Sequence, residues 1–108
     1  MVNKVIAVDF DGTLCEDDWP HIGKPNYQVR SYILEQQRLG AKIILWTCRS
    51  GERLLEALEW CNDFGIKFDA VNENVPESIE AFGGDSRKIF AHEYIDDKMC
   101  TLFKFRKT

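Results

Sequence analysis

Residues 4–14 read KVIAVDFDGTL, and this stretch gives the first indication of the fold class. The apolar run VIAV is typical of a buried strand, and two carboxylates, Asp9 and Asp11, follow it. Side chains alternate along a strand, so we expect both carboxylates on one face and Phe10 on the other. Gly12 then lets the backbone turn sharply. Carboxylates this close repel each other unless a proton or a cation lies between them, and Mg²⁺ is a cation that prefers oxygen ligands.

Two further apolar runs end in polar residues suited to the same chemistry. The run Ile43–Thr47 ends in a hydroxyl, and Tyr94–Asp97 ends in paired acids. Together with Asp9–Thr13, these stretches resemble the second, fourth and first motifs of the haloacid dehalogenase superfamily, in the expected chain order. The resemblance implies a Rossmann-like α/β domain and a Mg²⁺-dependent phosphatase of the minimal, uncapped type.

The resemblance also implies a role for each motif residue. Asp9 would be the nucleophile that attacks phosphorus and forms an aspartyl-phosphate, and Asp11 would be the general acid and base. Thr47 would donate its hydroxyl to a phosphate oxygen. The metal would be held by Asp9, by the Asp11 backbone carbonyl and by Asp96 and Asp97, and which of these last two binds it directly stays open.

Further contacts to the substrate phosphate are expected around these motifs. Gly12 lies in the turn after the first strand, and the backbone N–H groups of Cys48 and Arg49 precede a predicted helix, where anions bind well. The side chain of Arg49 has two interpretations that remain open, a cation beside the phosphate or a surface charge.

The third motif of the superfamily, a Lys or Arg that neutralises charge beside the nucleophile, is where this sequence departs from the pattern. By motif order Lys88 is the candidate, but it lies only eight residues before Asp96. Eight extended residues at ~3.3 Å each place it about 26 Å away, unless the chain turns in between. Lys67 precedes predicted strand three and therefore also lies at the wrong end of its strand. Lys98 follows the paired acids and would have to reach back over them.

Composition narrows the class of protein. The chain has 108 residues, enough for one domain, here residues 1–108, and its net charge of −4 gives no general attraction to nucleic acid. A nucleic-acid end nevertheless stays open as a substrate. No apolar run approaches the ~20 residues of a membrane span, so we expect no membrane partner and a cytoplasmic protein. Four dispersed cysteines and two histidines do not indicate zinc.

Apolar periodicity predicts alternating strands and helices, hence a parallel sheet with right-handed crossovers. We expect a loop over residues 12–25 and five strands in the order 3-2-1-4-5, numbered along the chain, with no cap domain. The other expected elements are helices over 26–39 and 50–64, capped by Asn26 and Ser50, and strands two to five over 41–47, 68–71, 92–95 and 101–105.

An uncapped site is open to solvent, which favours a phosphate on a bulky substrate such as a nucleotide or a polynucleotide end. A homo-oligomer that encloses a small substrate is an alternative. Two other functions remain open, a phosphate-binding or regulatory module with weak turnover and a phosphotransferase.

Overall fold

Four short strands form a parallel sheet in the computed structural model, which describes residues 4–85 and 89–96. Three helices and a two-stranded hairpin complete the described part of the chain. In chain order the elements are β1 (Val5–Val8), β2 (Cys15–Asp18), β3 (His21–Pro25), α1 (Tyr27–Arg38), β4 (Lys42–Leu45), α2 (Gly51–Asp63), β5 (Ala70–Val71), α3 (Pro76–Phe82) and β6 (Glu93–Ile95).

The sheet has the order β5-β4-β1-β6, and every neighbouring pair is parallel. The predicted parallel α/β architecture is therefore confirmed, and the order is 3-2-1-4 in the numbering of the predicted strands. The sheet has four strands rather than the expected five, and the segment 101–105 expected as the fifth lies outside the described residues.

Alternate residues of β1 supply two separate apolar layers, because successive side chains of a strand point to opposite faces. Ile6 and Val8 pack in a cluster with buried residues of α1 and α2, whereas Val5 and Ala7 pack with Val75, which precedes α3. The helices α1 and α2 thus cover one face of the sheet, and the segment that leads into α3 packs on the other. The buried helix residues of the larger cluster are Val29, Ile33, Ala57 and Cys61.

The two long helices begin differently. The side chain of Asn26 accepts hydrogen bonds from the N–H groups of Gln28 and Val29, at 3.1 and 3.2 Å, which confirms it as the N-cap of α1. Ser50 occupies the N-cap position of α2, as predicted, but its side chain makes no capping hydrogen bond. Within the described residues, no helix combines the length and the apolar character needed to cross a membrane.

The segment expected as a loop after β1 is instead an antiparallel hairpin of β2 and β3. Cys15 pairs with Pro25 and Asp17 with Ile22, so two residues of β3 lie opposite Glu16 alone, and the pairing contains a bulge. Glu16 and the rest of β2 after Cys15 are exposed, and no apolar alternation marks the strand. Backbone pairing rather than side-chain burial therefore makes this element.

Candidate functional site

The carboxyl ends of β1 and β6 place Asp9 and Asp96 side by side. Val8 is level with Ile95 in the parallel register, and the Asp9 N–H donates to the Ile95 carbonyl at 2.9 Å. Both acids are partly exposed, and residues level with each other in neighbouring strands project to the same side of a sheet. The two carboxylates therefore share one edge of the sheet, as the sequence predicted.

Thr47 reaches the same edge from β4, and Asn72 after β5 fixes its backbone. The Thr47 N–H donates to Asn72 Oδ1 at 2.8 Å, and the Asn72 N–H donates to the Leu45 carbonyl at 2.8 Å. The Thr47 hydroxyl oxygen accepts a bond from the Arg49 N–H at 3.1 Å. The hydroxyl hydrogen can still be donated, whereas the Arg49 backbone N–H, expected at the phosphate, is engaged here.

A tight turn follows β1 and carries the motif glycine. The Phe10 carbonyl accepts from the N–H groups of Thr13 and Leu14, and the Phe10 side chain is buried in the core. Gly12 has a φ of 85°, a conformation that favours glycine, and its N–H donates to the Cys15 carbonyl at 2.9 Å. Gly12 thus shapes the turn, and its N–H is engaged within it.

Asp11 forms a two-pronged ion pair with Arg49. Nε donates to Oδ2 at 2.8 Å and Nη2 donates to Oδ1 at 2.7 Å. The guanidinium also donates to the carbonyls of Pro20 and His21, at 3.3 and 2.9 Å. The hydrogen bond to Asp11 raises the pKa of Arg49, against the opposing effect of burial. Arg49 is only 2% exposed, so its interpretation as a surface charge was wrong.

Two aromatic rings complete the surroundings of this guanidinium. Its carbon lies 5.0 Å from the ring centre of Phe10 and 4.9 Å from that of Trp19. Phe10 is fully buried, whereas Trp19 is 57% exposed, so the guanidinium has one ring in the core and one at the surface. Such contacts stabilise a cation through the negative face of the ring.

The donors at the sheet edge fit a Mg²⁺ ion held by few protein ligands. Within residues 4–85 and 89–96 there is no group of three or more His, Cys, Asp or Glu side chains arranged to hold a metal. Mg²⁺ is commonly bound by one or two carboxylates together with water and substrate phosphate. Asp9 and Asp96 supply such a pair, while the carboxylate of Asp11 is directed to Arg49.

The remaining residues that the sequence predicted for the site are in three different situations. Lys88, Asp97 and Lys98 fall outside the described ranges. Cys48 is exposed directly after Thr47. Lys67 lies before β5, at the opposite end of the sheet, as its place in the sequence predicted.

The sequence did not predict the ion pair of Asp11 and Arg49 or the contribution of Trp19. Asp11 and Arg49 follow the neighbouring strands β1 and β4, but 38 positions of sequence separate them. No local pattern in one sequence signals such a contact. The φ of 55° at Asn72 and its hydrogen bond to the Thr47 N–H were not predicted either.

Comparisons with known proteins found similarity to a solved structure. No protein-family model matches the chain, and no curated protein does. The structure of a conserved protein coded by a locus of Bacteroides thetaiotaomicron is 39% identical, with a TM-score of 0.78. The match covers 92% of this chain and 79% of that one. At this identity and coverage, the chain belongs to the same family as that conserved Bacteroides thetaiotaomicron protein.

Proposed function

We propose that the protein is a Mg²⁺-dependent phosphomonoesterase of the haloacid dehalogenase superfamily, with a Rossmann-like domain and Asp9 as nucleophile. The observation that carries the proposal is the register of the strands, in which Val8 is level with both Ile95 and Leu45. This register supports a site in which Asp9 lies between Asp96 on one side and the Thr47 segment on the other.

The proposed reaction has two steps. An Asp9 carboxylate oxygen forms a bond to phosphorus while the bond from phosphorus to the ester oxygen breaks, and Asp11 gives the departing oxygen its proton. Asp11 then takes a proton from water, whose oxygen attacks phosphorus and releases Asp9 and inorganic phosphate. The Thr47 hydroxyl donates to a phosphate oxygen in both steps, because catalysis of phosphoryl transfer is mainly positioning and charge stabilisation.

Asp9 and Asp96 would hold the metal, with Asp97 beside them as the motif implies. When bound, Mg²⁺ neutralises charge on the phosphate oxygens and reduces the repulsion between the phosphate and the carboxylates. Lys88 stays the proposed third-motif cation by motif order. The guanidinium of Arg49 is engaged by Asp11 and is not assigned to the phosphate.

The proposed substrate class is a phosphate on a bulky partner, such as a nucleotide or a polynucleotide end. Support comes from the small size of the insertions around the site, which are a hairpin after β1 and the seven-residue helix α3 after β5. Neither is long enough to form a separate covering domain, so a large leaving group has room.

One observation favours a second candidate, a phosphate-binding or regulatory module with weak turnover. Both carboxylate oxygens of Asp11 accept bonds from Arg49, which leaves the proposed acid and base occupied. A phosphotransferase is the third possibility, and it would form product in proportion to an added acceptor other than water.

The test is hydrolysis of p-nitrophenyl phosphate with Mg²⁺ and with EDTA, followed by a screen of nucleotides and 3′- or 5′-phosphorylated oligonucleotides. We expect Mg²⁺-dependent turnover that Asp9→Asn abolishes in a folded protein. Asp63→Asn, an exposed acid at the end of α2, is the matched control and should behave as wild type. Full activity in EDTA, or unchanged turnover of Asp9→Asn, would refute the proposal.

A further inference from the structure

Arg49 is the one buried charged residue in the described part of the chain, and it contacts the turn after β1 and the turn of the hairpin. Its side chain has no exposed surface, while that of Asp11 is 22% exposed. Removing a guanidinium from water is costly unless its donors are paired, so a residue of this kind needs a full set of partners.

The guanidinium uses four of its five N–H donors within the protein. Two serve the oxygens of Asp11, and two serve the carbonyls of Pro20 and His21. Pro20 lies in the two-residue connection between β2 and β3, and His21 is the first residue of β3. The same planar group therefore binds the carboxylate after β1 and the turn of the hairpin.

A guanidinium is rigid and planar, so its bonds on one side constrain those on the other. The rings of Phe10 and Trp19, each within about 5 Å of its central carbon, restrict its tilt. The orientation of the Asp11 carboxylate and the position of the hairpin turn are consequently linked through one side chain.

We propose that Arg49 is a positioning residue that couples the hairpin to Asp11, an inference that rests on the proposed phosphatase function. Arg49 sets the direction of the Asp11 carboxylate without contacting the substrate phosphate. Residues of the hairpin turn then influence turnover although they do not take part in the reaction, and a change at the turn is transmitted to Asp11.

The test compares two variants of Arg49 with the control Arg53→Met. Arg49→Met removes the charge, and Arg49→Lys keeps the charge but lacks the planar group that donates to both oxygens of Asp11. Arg53 is exposed on α2 and paired with Glu56, so its variant is the matched control. We expect kcat for p-nitrophenyl phosphate to fall by about 10²-fold in Arg49→Met, as for a misplaced catalytic group, with KM changed less than about threefold. Arg49→Lys should also lose activity, and Arg53→Met should not.

A second measurement follows amide hydrogen exchange over residues 15–25, which needs no activity. Arg49→Met and Asp11→Asn should both accelerate exchange in the hairpin, whereas Arg53→Met should not. Added guanidinium ion should partly restore turnover to Arg49→Ala and not to Arg49→Met, whose side chain fills the space. This rescue separates positioning from general loss of folding.

Three results would overturn the coupling. Higher kcat in Arg49→Met would show that Arg49 restrains Asp11 instead of positioning it. A rise in KM with kcat unchanged would assign Arg49 to the phosphate. Unchanged hairpin exchange in both Arg49→Met and Asp11→Asn would refute the link itself. If wild type shows no turnover, the proposed function fails, and the exchange measurement still decides the coupling.

Discussion

Asn72 has a φ of 55° at the end of β5, a conformation that residues other than glycine, asparagine and aspartate rarely adopt. In this conformation its side chain accepts the Thr47 N–H at 2.8 Å. Two separate contributions therefore depend on one residue, the backbone conformation and the hydrogen bond. Substitutions can separate them.

We expect Asn72→Gly to lose only the hydrogen bond, about 1 kcal/mol of unfolding free energy. Asn72→Ala should lose about 2 kcal/mol, because it adds the cost of about 1 kcal/mol for a left-handed alanine. Asn72→Asp, which keeps the acceptor, should stay near wild type. Denaturant titration measures all three. Alanine as stable as glycine would contradict the assigned conformation.

At the residue scale, the sequence predicted those site residues whose positions follow from strand ends. Asp9 and Asp96 lie at the same sheet edge because each directly follows one of two neighbouring parallel strands, β1 and β6. The ion pair of Asp11 with Arg49 was not predicted, because both residues lie in turns beyond the ends of β1 and β4, where the strand register no longer fixes side-chain directions. A buried arginine has the same sequence signal as an exposed one.

At the scale of elements, the hairpin of β2 and β3 depends on a close backbone approach at Gly23. A Cβ placed on Gly23 would lie 2.2 Å from the carbonyl oxygen of Glu16 and 2.8 Å from its carbonyl carbon. Both contacts are with backbone, so a flexible side chain cannot relieve them. The bulge opposite Glu16 therefore requires glycine.

Gly23→Ala should destabilise the protein by about 1 to 3 kcal/mol, the usual range for overpacking, and accelerate amide exchange over residues 15–25. Because the hairpin carries the carbonyl partners of Arg49, turnover should fall as well. Gly84→Ala is the matched control, since a Cβ there meets nothing within 4 Å, and it should stay within about 0.5 kcal/mol of wild type. Equal effects of the two substitutions would contradict the close approach.

Elements with apolar runs were predicted and the hairpin was not, for a physical reason. Strands β1 and β4 are almost wholly buried, which requires a continuous apolar sequence. In β2 only Cys15 is buried, and the strand is held by backbone hydrogen bonds that leave no side-chain pattern. The helix α3 is only seven residues long, too short for a clear helical period.

At the scale of the whole molecule, the main core contains an ionisable thiol. Cys61 of α2 is fully buried beside strand residues, and burial raises its pKa from 9.0 to about 12. Burial also raises the pKa of Cys15. A raised thiol pKa means that the folded protein keeps a proton that the unfolded chain releases. The stabilisation is intact below about pH 9 and is lost as the pH rises toward about 12.

We therefore expect the unfolding free energy to decline above about pH 9, and to decline less steeply in Cys61→Ala. The quantity compared is the slope of the unfolding free energy against pH, because Cys61→Ala also lowers stability at every pH through the volume it removes. Cys48→Ala, at an exposed thiol, is the control and should keep the wild-type slope. Identical slopes for wild type and Cys61→Ala would show that the thiol does not titrate as assigned.

The overall architecture followed from the sequence because parallel sheets leave few arrangements for alternating strands and helices. The four strands β5, β4, β1 and β6 have the predicted relative order, with β1 inside the sheet. The substrate does not follow from architecture, since one fold supports many reactions and the site alone decides among them.

The proposal that Asp9 is the nucleophile is tested most directly by trapping its phosphorylated form. Asp11→Asn is incubated with Mg²⁺ and p-nitrophenyl phosphate, a substrate whose leaving group needs no proton, so that phosphorylation proceeds while hydrolysis slows. Acid quenching and borohydride reduction convert an aspartyl-phosphate to homoserine, which peptide mass spectrometry locates. We expect homoserine at position 9 and none in the Asp9→Asn variant. Release of p-nitrophenol with an unmodified Asp9, or modification at another residue, would contradict it.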